Sequence, residues 1–141
     1  MPQPPEASIP EASVLATYPF ARFLGVELDV DAEVTLRLPF APHLIGNPMI
    51  PALHGGVIGA FMEIAAMAQL AHSEHFAKIP KPINVTIQYL RSGKPVDTFA
   101  RAVVNRVGRT VANVEATAWQ DAADHPIATL QAHFLLTGLN D

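Results

Sequence analysis

The chain has 141 residues, half of them apolar and 16% charged, a composition that supports one packed domain and excludes a disordered protein. A formal net charge of −4 argues against a general nucleic-acid or anionic-membrane surface, so an anionic ligand needs a local cluster of Lys and Arg. The lack of cysteine excludes disulfides, Cys-ligated zinc and thiol nucleophiles.

Residues 1–10 carry four prolines and no periodic pattern, which predicts a loose arm ahead of a single domain over 11–141. This start lacks the positive residues and apolar run of a signal peptide. The longest apolar stretch, Val57 to Leu70, is interrupted by Glu63 and Gln69 and is too short to span a bilayer. The expectation is a soluble, cytoplasmic protein without a membrane partner. A short helix is expected over Glu11 to Thr17, with Phe20, Phe23 and Leu24 packed behind it. Val26 to Val30 and Glu33 to Phe40 alternate as two strands around Asp31. Ala41 to Leu53 holds three prolines and a glycine and reads as a loop with constrained dihedrals.

From Gly55 to about His75 the two-residue alternation stops, proline is absent and good helix formers dominate. The predicted helix is apolar almost all the way round, as helices buried on every side are. Gly59, Ala60, Ala65, Ala66, Ala68 and Ala71 keep it thin, and Ile79-Pro80-Lys81-Pro82 ends it. Three strands are expected next. Ile83, Val85, Ile87 and Tyr89 share one face of the first, against Asn84, Thr86 and Gln88 on the other. Phe99 to Arg106 and Thr110 to Gln120 flank a turn at Val107-Gly108-Arg109. Pairing Asn105 with Val111 sets Arg101 opposite Glu115 and gathers Ala100, Ala102, Val104, Ala112, Val114, Ala116 and Ala118 on one small-residue face. The last strand, Ile127 to Thr137, adds Ala128, Leu130, Ala132, Phe134 and Leu136 to that side. The pattern predicts a long antiparallel sheet wrapped around one central helix, an α+β fold.

The chemistry lies in Leu53-His54-Gly55-Gly56-Val57-Ile58-Gly59-Ala60-Phe61-Met62-Glu63. Two glycines at a helix start leave backbone N–H groups uncovered at the positive end of the helix dipole, which suits a developing oxyanion. Glu63 is the only acid in the apolar body of this helix, Glu74 standing in its last turn; burial raises the pKa of such a carboxyl and calls for a partner or a task. On pattern alone, a glycine helix start with a structurally paired Glu accounts for the same residues. At ~1.5 Å rise per residue, Gly56 and Glu63 are roughly 10 Å apart on one helix, too far to act on one carbonyl. A two-fold dimer with antiparallel central helices brings Glu63 of one subunit near Gly56 of the other.

Over about residues 20 to 137 the sequence resembles the hotdog-fold acyl-CoA thioesterases, particularly those of the phenylacetate-degradation type. The likeness rests on His54-Gly55-Gly56, the acid nine residues after His54, the strand Val85 to Leu90 followed by Arg91, and the Gly108-Arg109 turn. It implies a cytoplasmic hydrolase of acyl-CoA thioesters, a homodimer with its active site at the interface that assembles to a homotetramer. Coenzyme A enters only as part of the substrate, and no other cofactor or metal is implied. The catalytic residues it implies are Glu63 as general base or nucleophile, the Gly55 and Gly56 amides, Asn47 before them, and His54 shaping the loop by hydrogen bonding. Some members also place a hydroxyl at the start of the strand after the helix; Lys81-Pro82 stands there in this chain, with Thr86 a distant substitute.

Arg109, then Arg91 and Arg106, are the candidates for CoA phosphates, with Lys94 a further exposed base. His72 and His75 have a metal-like spacing but fall in the last helical turn, where imidazoles favour the dipole and solvent. Trp119 and Tyr89 read as packing residues. Two rival functions remain. A 3-hydroxyacyl-thioester dehydratase is echoed faintly by His43 followed by a Gly/Pro loop and Glu63. A non-catalytic acyl-CoA-binding protein would have the same fold without turnover.

Overall fold

The computed structural model describes residues 11–30, 33–73 and 79–136; the predicted arm over 1–10, Asp31 and His75 lie outside them. The chain enters through two short helices, α1 (Glu11–Thr17) and α2 (Pro19–Leu24). Pro19 fits the first turn of α2, whose N–H groups lack helical partners. Gly25 ends α2 at φ 84°, a left-handed conformation that only glycine adopts without strain, and its N–H reaches the carbonyls of Ala21 and Arg22. The expectation that Phe20, Phe23 and Leu24 all pack inward holds for Leu24 alone; Phe23 is 64% exposed and stacks with Phe20 on the outside of α2. The separate helix α2 turns those rings away from the core.

Strands β1 (Glu27–Val30) and β2 (Val34–Leu38) form the expected antiparallel pair. The segment read as a loop contains a 3-10 turn (Pro42–Leu44) and a small ribbon, β3 (Ile45–Asn47) and β4 (Ile50–Leu53). Its prolines are compatible with this because a two-stranded ribbon has free edges that need no N–H at every position. The Asn47 side chain closes the turn by accepting the Met49 N–H at 3.0 Å.

Next come α3 (Gly55–Ser73), β5 (Lys81–Tyr89), β6 (Thr98–Val107), β7 (Val111–Trp119) and β8 (Pro126–Leu135). The six-stranded sheet runs β1-β2-β6-β7-β8-β5, with antiparallel neighbours throughout. α3 lies across one face of it. Phe61, Met62, Ile64, Ala66, Ala68 and Leu70 are buried there against Ala112, Val114, Ala116, Ala128, Leu130, Ala132 and Phe134. Small residues on both partners bring helix and sheet close, and apolar burial of this kind is the main source of stability. α1 covers α3 from another side through Val14.

The β6–β7 register differs from the sequence expectation by two residues. Arg101 pairs with Thr117 and Val103 with Glu115, because the turn closes on Val107 and Ala112, three residues out of the expected register, and a bulge between Val104 and Arg106 takes one of the three back. A two-residue slip keeps every side chain on its face, so the small-residue surface survives. Arg101 binds Thr35 at 2.7 Å and Glu33 at 3.3 Å and lies over the Trp119 ring, in place of the expected pairing with Glu115.

β5 is a sheet edge, paired with β8 alone among the described residues. Ile83, Val85, Tyr89 and Leu90 are exposed along it. No described helix is long and apolar enough to cross a membrane.

Candidate active site

The start of α3 is built by the residue before it. Backbone bonds from Leu53 N–H to the Gly93 carbonyl and from His54 N–H to the Leu44 carbonyl, both 2.9 Å, fix the chain as it enters the helix. The His54 carbonyl accepts the first helical bonds, from Val57 and Ile58. Its ring then acts as a cap: Nδ1 accepts the Gly56 N–H at 2.9 Å. That bond requires a neutral imidazole with its proton on Nε2. The ring sits in a slot between two glycines. A Cβ at Gly46 would stand 2.6 Å from Cδ2, and one at Gly56 would stand 2.9 Å from Nδ1.

The two candidate amides therefore differ. Gly56 is committed to His54, whereas the Gly55 N–H has no acceptor among the described residues. It lies at the positive end of a 19-residue helix and is the donor available to a developing oxyanion. Asn47 lines a depression of about 350 Å³ with His54, Gly46 and Ile50, so the structure brings these two candidates together. Its Oδ1, however, is engaged by the Met49 N–H.

Glu63 lies two turns further along α3 and is half-buried. Desolvation pushes its carboxyl above the ordinary glutamate range, and among the described residues it makes no hydrogen bond or ion pair. Tyr18, between α1 and α2, is its electrostatic neighbour: burial first, then the Glu63 charge, raise the Tyr18 phenol. The eight-residue step from Gly55 to Glu63 spans ~12 Å of helix, so one chain does not bring donor and acid onto one carbonyl.

A second depression, about 380 Å³, opens on the other side of the α3 start, lined by Gly55, Ile58, Tyr89, Leu90, Arg91 and Ser92 among others. Arg91 is held there by its Nε donating to the Pro126 carbonyl at 2.8 Å. Arg106 and Arg109 instead line a depression of about 280 Å³ at the β6–β7 turn, with Asn113 and His133. Pro126 and Leu135 are the two ends of β8, and Val111 pairs with Leu135. At ~3.4 Å per residue this separates Arg91 from the Arg106–Arg109 turn by roughly 30 Å within one chain. Thr86 lines the outer face of the sheet with Gln131 and Thr117, turned away from α3. His43 is engaged elsewhere, its Nε2 3.1 Å from the Phe23 carbonyl and its ring edge-on to Phe23.

Sequence reasoning missed Tyr89. Its hydroxyl donates to the Gly55 carbonyl at 2.7 Å, joining β5 to the first turn of α3. A signal was present: Gly55 and Gly59, four apart, leave one bare stripe on the helix where a strand residue can approach. A Cβ at either would stand 3.5 Å from Tyr89.

The sequence model of the thioesterase superfamily matches residues 51–124, just over half of the chain. The chain belongs to the thioesterase superfamily. The matched span includes His54-Gly55-Gly56, Glu63, Tyr89 and Arg91, and the sheet around a central helix is the hotdog fold. A crystal structure of a protein from Chromobacterium violaceum is 37% identical over 92% of this chain and 90% of that one, with a TM-score of 0.71. A phenylacetic acid degradation-related protein from Ralstonia eutropha superposes with a TM-score of 0.72 at 22% identity, covering 89% of this chain and 98% of that one. A Bacillus halodurans protein crystallised with CoA gives 0.63 at 21% identity, covering 71% and 68%. At these two identities the likeness concerns the fold. A search of curated proteins finds no match.

Proposed function

We propose that this thioesterase-superfamily protein hydrolyses an acyl-CoA to a free carboxylic acid and CoA, at sites shared between two subunits. The observation that carries this reading is Glu63, a half-buried acid with a raised pKa and no described hydrogen-bonding partner, on the same helix whose start offers a free amide. The Gly55 N–H and the helix dipole stabilise the oxyanion as the thioester carbonyl is attacked. Glu63 either takes a proton from the attacking water or adds to the carbonyl itself. In the first route the water oxygen bonds to the carbonyl carbon, the C–S bond breaks, and the CoA thiolate takes up the proton that Glu63 removed from water. In the second Glu63 displaces the thiolate, and water then hydrolyses the acyl-glutamate anhydride, giving its proton to the thiolate and restoring the carboxylate. CoA in a fold relative is consistent with this substrate class.

On this reading, the ~12 Å between Gly55 and Glu63 in one chain is bridged by a second copy. Antiparallel pairing of the exposed β5 edge with its own copy joins the two sheets and sets the α3 helices antiparallel. Glu63 of one subunit then approaches Gly55 of the other. The Lys81 end of one β5 also meets the Tyr89 end of the other, which carries the Arg106–Arg109 turn toward the second subunit's Arg91. A basic path for the CoA phosphates then forms from both chains, with Arg109 the leading candidate.

The test is thiol release from a panel of acyl-CoAs by wild type and Glu63→Gln. A folded Glu63→Gln protein is expected to lose about 100-fold or more in kcat, the usual contribution of a general base. Near-normal turnover in that variant refutes the role. Crotonyl-CoA belongs in the panel, because hydration without thiol release would assign dehydratase chemistry.

A further inference from the structure

We propose that Tyr89 is a positioning residue for the amide pair at the start of α3, an inference that rests on the hydrolytic reading above. The carbonyl that its hydroxyl bonds, that of Gly55, and the N–H of Gly56 are the two ends of a single peptide group. The group receives a hydrogen bond at its oxygen from Tyr89 at 2.7 Å and gives one from its nitrogen to His54 Nδ1 at 2.9 Å. Such a chain polarises along its length, each bond strengthening the next.

A helix that begins Gly-Gly needs this support. With no Cβ at either position, the backbone there has more freedom than any other pair of residues would allow, and an oxyanion donor works only if its direction is fixed beforehand. Clamping the Gly55–Gly56 peptide at both ends leaves little freedom at the Gly55 Cα, and so fixes the preceding N–H, the one left open for substrate. The phenol ring is also in contact range of the site a Gly55 Cβ would occupy, so it screens one side of that peptide from water. Tyr89 is 53% exposed, so its burial contributes little and its hydroxyl is what engages the helix. Because Tyr89 stands on the β5 edge, pairing that edge with a second copy also stiffens the clamp.

Tyr89→Phe keeps the ring and deletes the donor. The expected result is kcat lower by roughly threefold to tenfold, the effect of one neutral hydrogen bond, with KM unchanged within about twofold. The amide proton of Gly56 is expected to move upfield in NMR spectra and to exchange faster. Should Tyr89→Phe fold poorly, fluorotyrosine at position 89, a stronger donor, is expected to shift the Gly56 amide proton downfield. Wild-type kcat in Tyr89→Phe, a raised KM at unchanged kcat, or an unmoved Gly56 resonance in either variant overturns the positioning role. A wild-type protein that hydrolyses no thioester, yet shows the Gly56 shift, overturns the hydrolytic reading and leaves the clamp standing.

Discussion

Gly46→Ala is the sharpest perturbation of the site that replaces none of the candidate catalytic residues. The added methyl would stand 2.6 Å from His54 Cδ2, 3.1 Å from Cγ and 3.2 Å from Cβ, against an ordinary carbon–carbon contact of about 3.5–4.0 Å. The clash reaches the base of the side chain, so rotating a flexible tip does not relieve it. Nor does the ring have room to retreat, because on its far side it is already in hydrogen-bond contact with Gly56. The ring must change rotamer or the β3 backbone must shift by about 1 Å, and either separates Nδ1 from the Gly56 N–H. Losing that bond costs about 1 kcal/mol and residual strain a further ~1 kcal/mol. The melting temperature of a chain this size should then fall by roughly 4–10 °C. Hydrolysis should fall about tenfold or more, because the helix start is no longer capped. Calorimetry and thiol release measure the two effects. A Gly46→Ala protein with wild-type melting and turnover refutes the account of His54 as the cap.

Three further outcomes are expected. Burial raises the Glu63 pKa above 4.5, so kcat/KM should rise with pH as the carboxylate forms, with an inflection above the ordinary glutamate value. The native state holds that proton more tightly than the unfolded one. Glu63 therefore lowers stability progressively as pH rises from 4.5 through its folded pKa, and Glu63→Gln should gain on wild type across that window in pH-dependent denaturant melts. Val85→Asp places a charge on the apolar β5 edge; sedimentation should show a folded monomer, and thiol release should be largely lost. Arg109→Ala should raise KM for an acyl-CoA by about tenfold, while leaving an acyl-pantetheine, which lacks the nucleotide phosphates, unaffected.

The parts of the fold legible in the sequence were those governed by periodicity. The apolar run after Gly55 gave α3, and alternation gave the long strands and the inward faces of Ala112, Val114, Leu130 and Phe134. Register was less accessible, because neither the turn's closing pair, Val107 and Ala112, nor the bulge at Asn105 has a strong sequence mark, and their net slip of two leaves Ala100, Ala102 and Val104 on the expected face. Prolines concealed the β3–β4 ribbon by resembling loop punctuation. At the site, the glycine pair and Glu63 stood out because each violates the pattern around it. The bond from Tyr89 to Gly55 did not, because it joins residues 34 apart and depends on how closely β5 passes α3. The separation of Arg91 from Arg106 and Arg109 was equally hidden, since it follows from which end of β8 each turn adjoins.

The proposed division of the site between two subunits follows from the rigidity of α3. A helix fixes its amide terminus and an acid two turns on at a separation that no side-chain rotation closes, since a glutamate reaches only ~4–5 Å from its backbone. Moving the acid into the first turn would shorten the distance but would put its charge beside the Gly55 N–H, filling the place where the oxyanion must form. Two antiparallel copies satisfy both requirements: each acid remains in its own half-buried environment, which raises its pKa toward that of a useful base, and each amide stays open. The uncovered edge that permits this pairing is the strand that holds Tyr89 against Gly55. In the proposed dimer, assembly and the preorganisation of the donor are carried by the same nine residues, Lys81–Tyr89, so a change on that edge should reach the amide pair before it reaches the core.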